Sequence, residues 1–187
     1  YKQFVENGWQ SAALDKKYGG QGLPYIFNVF FDEIITSSNM GFSNYPGLTG
    51  NAFEAIKKSA SEELKKLYLP KMATGEWTGT MNLTEPQCGT DLGLSEAMAT
   101  PQKDGSYNLT GTKIFITGGE QDLSENIIHL VLAKTPGAPK GIKGISLFLV
   151  PKIIPNSDGS LGDREKVFDW SDAGEYTKSN IKSITFN

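Results

Sequence analysis

The sequence predicts an α+β protein in which a helical domain at residues 1–76 precedes a β-domain at residues 77–187. Two observations lead to this prediction. Apolar residues recur at the spacing of amphipathic helices up to about Gly75, and from Thr78 onward the pattern becomes that of strands. Turn-forming residues also interrupt the second part at short intervals, which is typical of hairpin-connected strands. We therefore expect an antiparallel sheet that closes into a small barrel or sandwich.

The helical part is expected to contain several segments. A first amphipathic segment ends at the strong stop signal YGGQGLP, residues 18–24. Pro24 then opens a helix whose apolar residues between Ile26 and Ile35 occupy more than one face. So broad an apolar surface predicts a helix that is buried against several neighbours. The stretch at 37–50 is expected to form a loop, or a short helix between turns.

Two shorter helices are predicted next, over roughly 52–58 and 60–69. The spacing of a capping box, in which a small polar residue precedes a glutamate by three positions, occurs at 51–54 and at 59–62. Apolar residues keep to helical spacing through both segments. Gly75 is expected to close the last helical turn.

The β-part is expected to hold five strands and one further strand near its end. The predicted strands cover 78–83, 95–101, 106–117, 127–134, 144–151 and 181–186. The runs IIHLVLAK and GISLFLVPK are rich in branched aliphatic residues and have the length of buried strands. The region from about residue 155 is polar, lacks a firm period and is atypical of the rest.

Composition and charge argue against several classes of protein. The 187 residues are 38% hydrophobic and 21% charged, which is enough apolar material for a core. The basic residues are scattered, whereas a nucleic-acid-binding protein needs a clustered basic face. No apolar run approaches the roughly 18 residues of a membrane span. Cys88 is the single cysteine and His129 the single histidine, so we predict neither an internal disulfide nor a metal site.

Two motifs in the β-part carry the most information about function. The first is TMNLTEPQCGTD at 80–91, and the second is GTKIFITGG at 111–119. Each places a threonine at the end of a predicted strand, Thr84 in the first and Thr117 in the second. The first motif continues into a turn of small residues, where backbone N–H groups are accessible to a ligand.

These two motifs resemble those of the acyl-CoA dehydrogenase family. YGGQGLP and SEELKKLYLPKMATGEW occur in the family's order and spacing, so the resemblance covers about residues 1–154. Within the family the chain looks closest to the branch with extra carboxy-terminal sequence that acts on methylthio- or medium-chain acyl-CoA. The resemblance implies three parts: a helical domain, a β-domain and a carboxy-terminal helical bundle, with FAD between the last two.

The resemblance also implies a reaction and partners. The family removes a proton from Cα and a hydride from Cβ of an acyl-CoA thioester, which leaves a trans-2-enoyl-CoA in fatty-acid β-oxidation. Electrons then leave through an electron-transfer flavoprotein. The expected protein is a homo-oligomer, cytoplasmic in a bacterium or in the mitochondrial matrix of a eukaryote.

The resemblance assigns eight residues to FAD binding: Met81, Leu83, Thr84, Gly89, Thr90, Phe115, Ile116 and Thr117. The Thr84 hydroxyl would bond a flavin heteroatom, and the backbone before it would pair with the pyrimidine edge. Thr117 would lie near N5, the flavin atom that receives hydride. On strand preference alone each threonine would bond only a neighbour or water, so these roles depend on the paired motifs.

The other assigned residues would contact the phosphates and the ring face. Gly89 would allow close backbone approach to the pyrophosphate, and Thr90 would add a hydroxyl and also line the acyl-CoA channel. Phe115, where the family often has Trp, would stack on the isoalloxazine, and Ile116 would offer its backbone. Without the resemblance, Gly89 reads as an ordinary turn glycine and Phe115 as a core residue of an alternating strand.

No catalytic residue is assigned to this chain. Glu85 and Asp91 lie in one turn and suggest an acid–base pair, but their places fit hydrogen bonds that fix the turn. In the family the base is a glutamate of the carboxy-terminal bundle. We therefore expect a fragment, incomplete at its start, that is inactive alone. Two alternatives stay open: a non-catalytic binding or assembly module of the same ancestry, and an oxidase-like relative that passes electrons to oxygen.

Overall fold

The computed structural model describes residues 1–166, 175–176 and 180–182, with side chains to residue 161. The helices are α1 (Lys2–Glu6), α2 (Ile26–Ser59) and α3 (Glu62–Thr74). The strands are β1 (Trp77–Asn82), β2 (Met98–Pro101), β3 (Ser106–Thr112), β4 (Asn126–Lys134), β5 (Ile145–Pro151), β6 (Ile153–Pro155), β7 (Leu161–Lys166), β8 (Glu175–Tyr176) and β9 (Asn180–Lys182). Short 3₁₀ turns occur at Lys16–Tyr18, Leu92–Leu94 and Gly141–Gly144. The predicted change from helices to strands is confirmed.

The predicted loop at 37–50 is wrong, because α2 continues through it. The helix is interrupted only at Asn39, whose backbone is non-helical at φ −157° and ψ 89°. The Asn39 side-chain oxygen accepts a hydrogen bond from the N–H of Phe42 at 3.0 Å, as a helix cap does. The small polar residues of this stretch therefore restart a helix instead of ending one.

Helix α2 is exposed in its first half, contrary to the prediction that it would be buried against several neighbours. Ile26, Phe30 and Ile34 are 57%, 60% and 65% exposed. Burial begins only after the break, where Phe53 and Ile56 are fully buried against the sheet. Within the described part of the chain, this half of the helix packs through Phe31, whose ring stacks on that of Trp9 at 5.4 Å.

The helix caps differ in position from those predicted. Residues 51–54 lie inside α2, so no capping box forms there. Helix α3 is capped by Ser61, whose hydroxyl oxygen accepts from the N–H of Leu64, and not by Ser59. The predicted break near residue 60 and the end at Gly75 are both confirmed, and Gly75 adopts the left-handed conformation with φ 83°.

Within the described residues, the larger β-sheet is mixed and does not close into a barrel, which corrects the prediction of an antiparallel barrel. Strand β4 lies at its centre. It pairs with β5 antiparallel along one edge, and with β1 and then β2 parallel along the other. Strand β3 pairs antiparallel with β2 and with the short strands β8 and β9. Apolar patterning sets which residues are buried and leaves the direction of the neighbouring strand open.

The predicted strand boundaries hold for some strands and fail for others. Those at 78–83, 127–134 and 144–151 correspond closely to β1, β4 and β5. The strand predicted at 106–117 ends at Thr112, and the one predicted at 95–101 begins only at Met98. The last predicted strand overlaps β9, and its remainder, residues 183–186, lies outside the described residues.

Helix α2 packs directly on β1, and this contact sets the position of the strand that leads into the first motif. Gly79 lies beneath α2, and its N–H donates to the Thr49 hydroxyl oxygen at 3.0 Å. Phe53, Met72 and Trp77 are completely buried around this contact. Among the described residues, no helix combines the length and apolar character that crossing a membrane requires.

Candidate functional site

The two sequence motifs meet at one backbone hydrogen bond. The N–H of Ile114 donates to the carbonyl oxygen of Thr84 at 2.9 Å. Thr84 follows the end of β1, and Thr117 follows the end of β3 within an irregular segment. The prediction that both threonines end strands is therefore wrong, although the motifs are adjacent in space. The segments after the strands, and not the strands themselves, form the candidate site.

Phe115 has an unusual backbone and an exposed side chain. Its φ is 58°, and it is the one non-glycine residue with positive φ in the described part of the chain. Its side chain is 88% exposed, which excludes the alternative that Phe115 is a core residue. The left-handed conformation costs a non-glycine residue about 1–2 kcal/mol. Strain of this kind at an exposed aromatic ring is typical of a ligand-binding position.

The turn after Thr84 presents open backbone donors. Gly89 and Thr90 are both exposed. In the described part of the chain, neither of their N–H groups has an acceptor in the protein. A Cβ on Gly89 would meet Thr84 Cγ2 at an ordinary 3.6 Å, so packing within the protein does not require glycine here. A requirement for glycine would have to come from a bound ligand.

The remaining predicted residues surround these groups. Met81 lies in β1, and Thr84, Leu83 and Ile116 are half-buried, whereas Thr117 is exposed. Because the N–H of Gly79 bonds α2 and not β4, and N–H directions alternate along a strand, the N–H of Met81 also faces away from β4. Some backbone groups at the end of β1 are therefore accessible to a ligand.

A buried ion pair beneath the site was not predicted. Lys113 Nζ lies 2.6 Å from Glu85 Oε1, and the side chains are 0% and 2% exposed. The same ammonium donates to the Leu83 carbonyl oxygen at 3.0 Å. The only sign of this ion pair in the sequence is a lysine next to three apolar residues in KIFI, and a lysine at an exposed strand position would give the same pattern.

Glu85 fixes the turn, as predicted, and is not a free acid or base. Its carboxylate accepts hydrogen bonds from the Ser95 hydroxyl and from the N–H groups of Glu96 and Ala97. Burial alone would raise the pKa of Glu85, but Lys113 and these donors outweigh it and lower the pKa to about 2.

Asp91 likewise fixes the turn, since it accepts from the N–H of Gly93 at 3.0 Å and caps the 3₁₀ turn that follows. Both carboxylates of the first motif are thus engaged with the protein. Neither is placed as one member of an acid–base pair.

His129 is buried in β4, next to β1. Its Nδ1 and the Thr80 hydroxyl oxygen are 2.7 Å apart. Burial lowers the pKa of His129 to about 3, and the positive charge of Lys152 adds to the effect. The imidazole is therefore neutral at pH 7 and serves as a packed core residue. Among the described residues, no group of three or more His, Cys, Asp or Glu side chains is arranged to hold a metal ion.

The donor set of the site suits a flavin nucleotide. Hydroxyls come from Thr84, Thr90 and Thr117, open N–H groups come from the turn at 89–90, and an exposed aromatic ring comes from Phe115. Hydroxyls and backbone donors match the heteroatoms and phosphates of such a ligand, and the ring offers a stacking surface. The residues present therefore fit FAD.

Two family profiles match the chain. Residues 1–76 match the amino-terminal domain of acyl-CoA dehydrogenase, and residues 80–166 match its middle domain. The chain is 51% identical over 164 residues to 3-methylmercaptopropionyl-CoA dehydrogenase of Ruegeria pomeroyi, a match that covers 88% of this chain and 28% of that protein. The chain thus spans little more than a quarter of the length of this relative.

Two solved structures of acyl-CoA dehydrogenases share the fold of this chain. An acyl-CoA dehydrogenase from Geobacillus kaustophilus superposes with a TM-score of 0.66 at 32% identity, over 79% of this chain and 38% of that one. An acyl-CoA dehydrogenase complexed with FAD from Bacillus anthracis superposes with a TM-score of 0.65 at 29% identity, over 81% and 24%. The profiles and the shared fold together show that the chain belongs to the acyl-CoA dehydrogenase family, with the family's amino-terminal and middle domains.

Proposed function

We propose that this chain is the flavin-positioning part of an FAD-dependent acyl-CoA dehydrogenase that desaturates an acyl-CoA thioester to a trans-2-enoyl-CoA. The hydrogen bond from Ile114 N–H to the Thr84 carbonyl oxygen carries the proposal, because it brings the two motifs together. Family membership supports it, as does the FAD named with the Bacillus anthracis relative. The helical domain at 1–76 and the β-domain at 77–187 would each form part of the complete enzyme.

The proposal assigns the ring of FAD to the residues around this hydrogen bond. The hydroxyls of Thr84 and Thr117 would bond the isoalloxazine, while the backbone groups of Met81, Leu83 and Ile116 would face its polar edge. The Leu83 carbonyl oxygen already accepts from Lys113, so a bond from Leu83 to the flavin would use its N–H.

The phosphates and the ring face have their own residues. Gly89 and Thr90 would hold the pyrophosphate with their N–H groups and the Thr90 hydroxyl, and Thr90 would border the acyl-CoA channel. The exposed ring of Phe115 would stack on the isoalloxazine and exclude water from that face. When bound, FAD supplies the hydride acceptor of the reaction.

The catalytic base would lie outside this chain. The carboxylates of the first motif are committed to the turn, Glu85 to Lys113 and backbone donors and Asp91 to the N–H of Gly93. We therefore propose that the chain alone binds FAD weakly and produces no enoyl-CoA. In the complete protein we propose an electron-transfer flavoprotein as electron acceptor, a homo-oligomeric state, and a location in the bacterial cytoplasm or the mitochondrial matrix.

Titration of the purified chain with FAD tests the proposal. Binding should quench flavin fluorescence, and Thr84→Ala and Thr117→Ala should each weaken it about threefold to tenfold, the effect of one hydrogen bond. Thr100→Ala is the matched control, because Thr100 is an exposed threonine of β2. An unmodified chain that leaves flavin fluorescence unchanged at high micromolar concentration would count against the proposal.

A second candidate function is that of a flavin- or acyl-CoA-binding module without catalytic activity. It is favoured by the engagement of Glu85 and Asp91 in bonds within the protein, which leaves neither carboxylate to act as a base. The two candidates differ in the complete gene product. If a purified full-length protein forms enoyl-CoA with an artificial electron acceptor, the module is excluded. Rapid hydrogen peroxide formation during that turnover would favour an oxidase-like enzyme over a dehydrogenase.

A further inference from the structure

We propose that Lys113 is a positioning residue that fixes the first flavin motif relative to the second. This inference rests on the proposed function and extends it to a residue that makes no contact with the flavin itself. The distance that Lys113 would fix is the one between Thr84 in the first motif and residues 115–117 in the second. Lys113 lies between them in the interior of the protein.

Lys113 and its neighbour hold the peptide groups on both sides of Thr84. The Lys113 ammonium donates to the carbonyl oxygen of Leu83 at 3.0 Å and to Glu85 Oε1 at 2.6 Å. The N–H of Ile114 donates to the carbonyl oxygen of Thr84 at 2.9 Å. Three consecutive residues of the first motif are thus each bonded by residues 113–114 of the second. A shift of either motif would break all three bonds together.

Glu85 extends this arrangement to a third segment. Its two carboxylate oxygens accept from the side chain of Ser95 and from the N–H groups of Glu96 and Ala97, just before β2. Gln87, in the turn that leads to Gly89, donates from its side chain to Glu85 Oε2 at 2.7 Å. The Glu85–Lys113 pair therefore connects the phosphate-side turn, the lead into β2 and the ring-side segment.

The burial of the pair supports a positional role over a contribution to stability. Removing two charges from water is costly, and a buried ion pair is often no more stabilising than apolar residues of the same size. Here, however, the ammonium satisfies a backbone carbonyl and a carboxylate at once, which an apolar side chain cannot do. The pair therefore selects one geometry for the three segments.

Flavin binding by variants of the pair tests the inference. Lys113→Met retains much of the volume of lysine but leaves the Glu85 carboxylate buried without its cation. A second variant, Glu85→Gln with Lys113→Met, removes both charges and keeps one amide oxygen, which replaces one of the two carboxylate oxygens that accept from the N–H groups of Glu96 and Ala97. The double variant should therefore fold even if the single variant does not.

The matched control is Asn126→Ala, which removes a buried polar side chain from the start of β4. Asn126 bonds the backbone of Ile153 and not the motif segments. Each variant is assayed for folding by circular dichroism, for FAD affinity by fluorescence, and for amide hydrogen exchange in the absence of FAD. All affinities are measured at a temperature at which the variants are folded.

The inference predicts that the double variant binds FAD about tenfold more weakly, the size expected for losing a charge-assisted hydrogen bond that orients the site. Amide exchange should accelerate at Glu85, Cys88 and Ile114, whose N–H groups are hydrogen-bonded, while Asn126→Ala should leave affinity and exchange there within twofold of the unmodified chain.

A folded double variant with unchanged affinity and exchange would overturn the inference and leave the proposed function intact. Equal losses of affinity in the double variant and in Asn126→Ala would also overturn it, because they would indicate a general loss of stability. An unmodified chain that binds no FAD would reject the proposed function and this inference together.

Discussion

Gly79 of β1 approaches Ala52 of α2 so closely that a Cβ on Gly79 would lie 2.5 Å from the Ala52 Cβ. The same added atom would be 3.1 Å from Met72 Cε and 3.3 Å from Thr49 Cα. Neither Ala52 nor the backbone at Thr49 is the flexible end of a long side chain, so neither yields easily. The helix and the strand that leads into the first motif are therefore packed without room for any side chain at position 79.

Gly79→Ala should accordingly destabilise the protein by about 1–3 kcal/mol, the range for overpacking a well-filled core. Chemical denaturation monitored by circular dichroism measures the loss. Gly50→Ala is the control, since Gly50 lies in α2 with nothing within 4 Å of an added Cβ and should gain about 0.5–1 kcal/mol from helix propensity. Equal effects of the two substitutions would contradict the packing described at Gly79.

The position of the α3 cap makes a second prediction. Ser61→Ala should cost about 1 kcal/mol, because the Ser61 hydroxyl satisfies the otherwise unbonded N–H of Leu64 at the start of the helix. Ser59→Ala should have little effect, since Ser59 makes no side-chain hydrogen bond to the helix start. Thermal unfolding of the two variants distinguishes them, and a larger loss for Ser59→Ala would show that the cap lies at the earlier serine.

Gly89→Ala should separate stability from ligand binding. The added Cβ would meet Thr84 Cγ2 at 3.6 Å, an ordinary contact, so the melting temperature should stay nearly constant. Under the proposed function the same methyl group would stand between the turn and the pyrophosphate, and FAD affinity should fall about tenfold or more.

Thr90 provides the companion test for the same turn. Thr90→Ser keeps the hydroxyl and should retain FAD binding, whereas Thr90→Val should lose about threefold to tenfold in affinity. Both variants should fold as the unmodified chain does, because Thr90 is exposed. Full affinity in Gly89→Ala and Thr90→Val together would argue against a phosphate contact at this turn.

Phe115 should show opposite effects on stability and affinity. Phe115→Gly removes the free-energy cost of the left-handed conformation at φ 58°, and it adds the larger loss of chain entropy that glycine undergoes on folding. The net gain in unfolding free energy should be up to about 1 kcal/mol. The exposed ring contributes little burial to oppose this gain. FAD affinity should fall, because the stacking surface is lost, while Phe115→Trp should retain it. Fluorescence titration and thermal unfolding on the same samples measure both quantities.

Acidification should destabilise the protein in two steps. The folded pKa of His129 is about 3, below the usual 6.5, so its contribution is complete above pH 6.5 and declines as pH falls toward 3. The folded pKa of Glu85 is about 2, below the usual 4.5, so its contribution is lost only below pH 4.5. Between pH 6.5 and 4.5, His129 is therefore the group of the two that weakens the fold.

His129→Gln isolates the first step. The unmodified chain should lose about 2 kcal/mol of unfolding free energy between pH 7 and pH 5 through this histidine, as a shift of 1.4 kcal/mol per pH unit requires. The variant starts less stable, because burial in β4 leaves little room for adjustment, but its stability should change less over the same interval. Parallel pH profiles for the two proteins would show that His129 is not buried in the neutral form.

The sequence by itself determined the order of helices and strands and the turn-fixing role of Glu85. These predictions succeeded because apolar spacing indicates which positions are buried, as in β4 and β5. The end of α3 was predictable because the left-handed conformation at its last turn favours glycine, whatever packs around it. It also identified TMNLTEPQCGTD and GTKIFITGG as partners through their resemblance to a family. Sequence patterns were sufficient to predict those features that depend only on neighbouring residues.

Only the tertiary structure decided how these pieces meet. The parallel pairing of β1 with β4 depends on strands that are distant in sequence, so hairpin-like turn signals wrongly favoured an antiparallel barrel. The exposed first half of α2 has the same apolar spacing as a buried helix, so the spacing could not show whether it is covered. The strand predicted at 106–117 stops at Thr112, because residues 113–114 bond the first motif and not a neighbouring strand. Lys113 is a buried cation only because Glu85 and the Leu83 carbonyl converge on it across the fold. The burial and ion pairing of such a residue depend on segments that are distant in sequence, so they cannot be predicted from the residue and its neighbours alone.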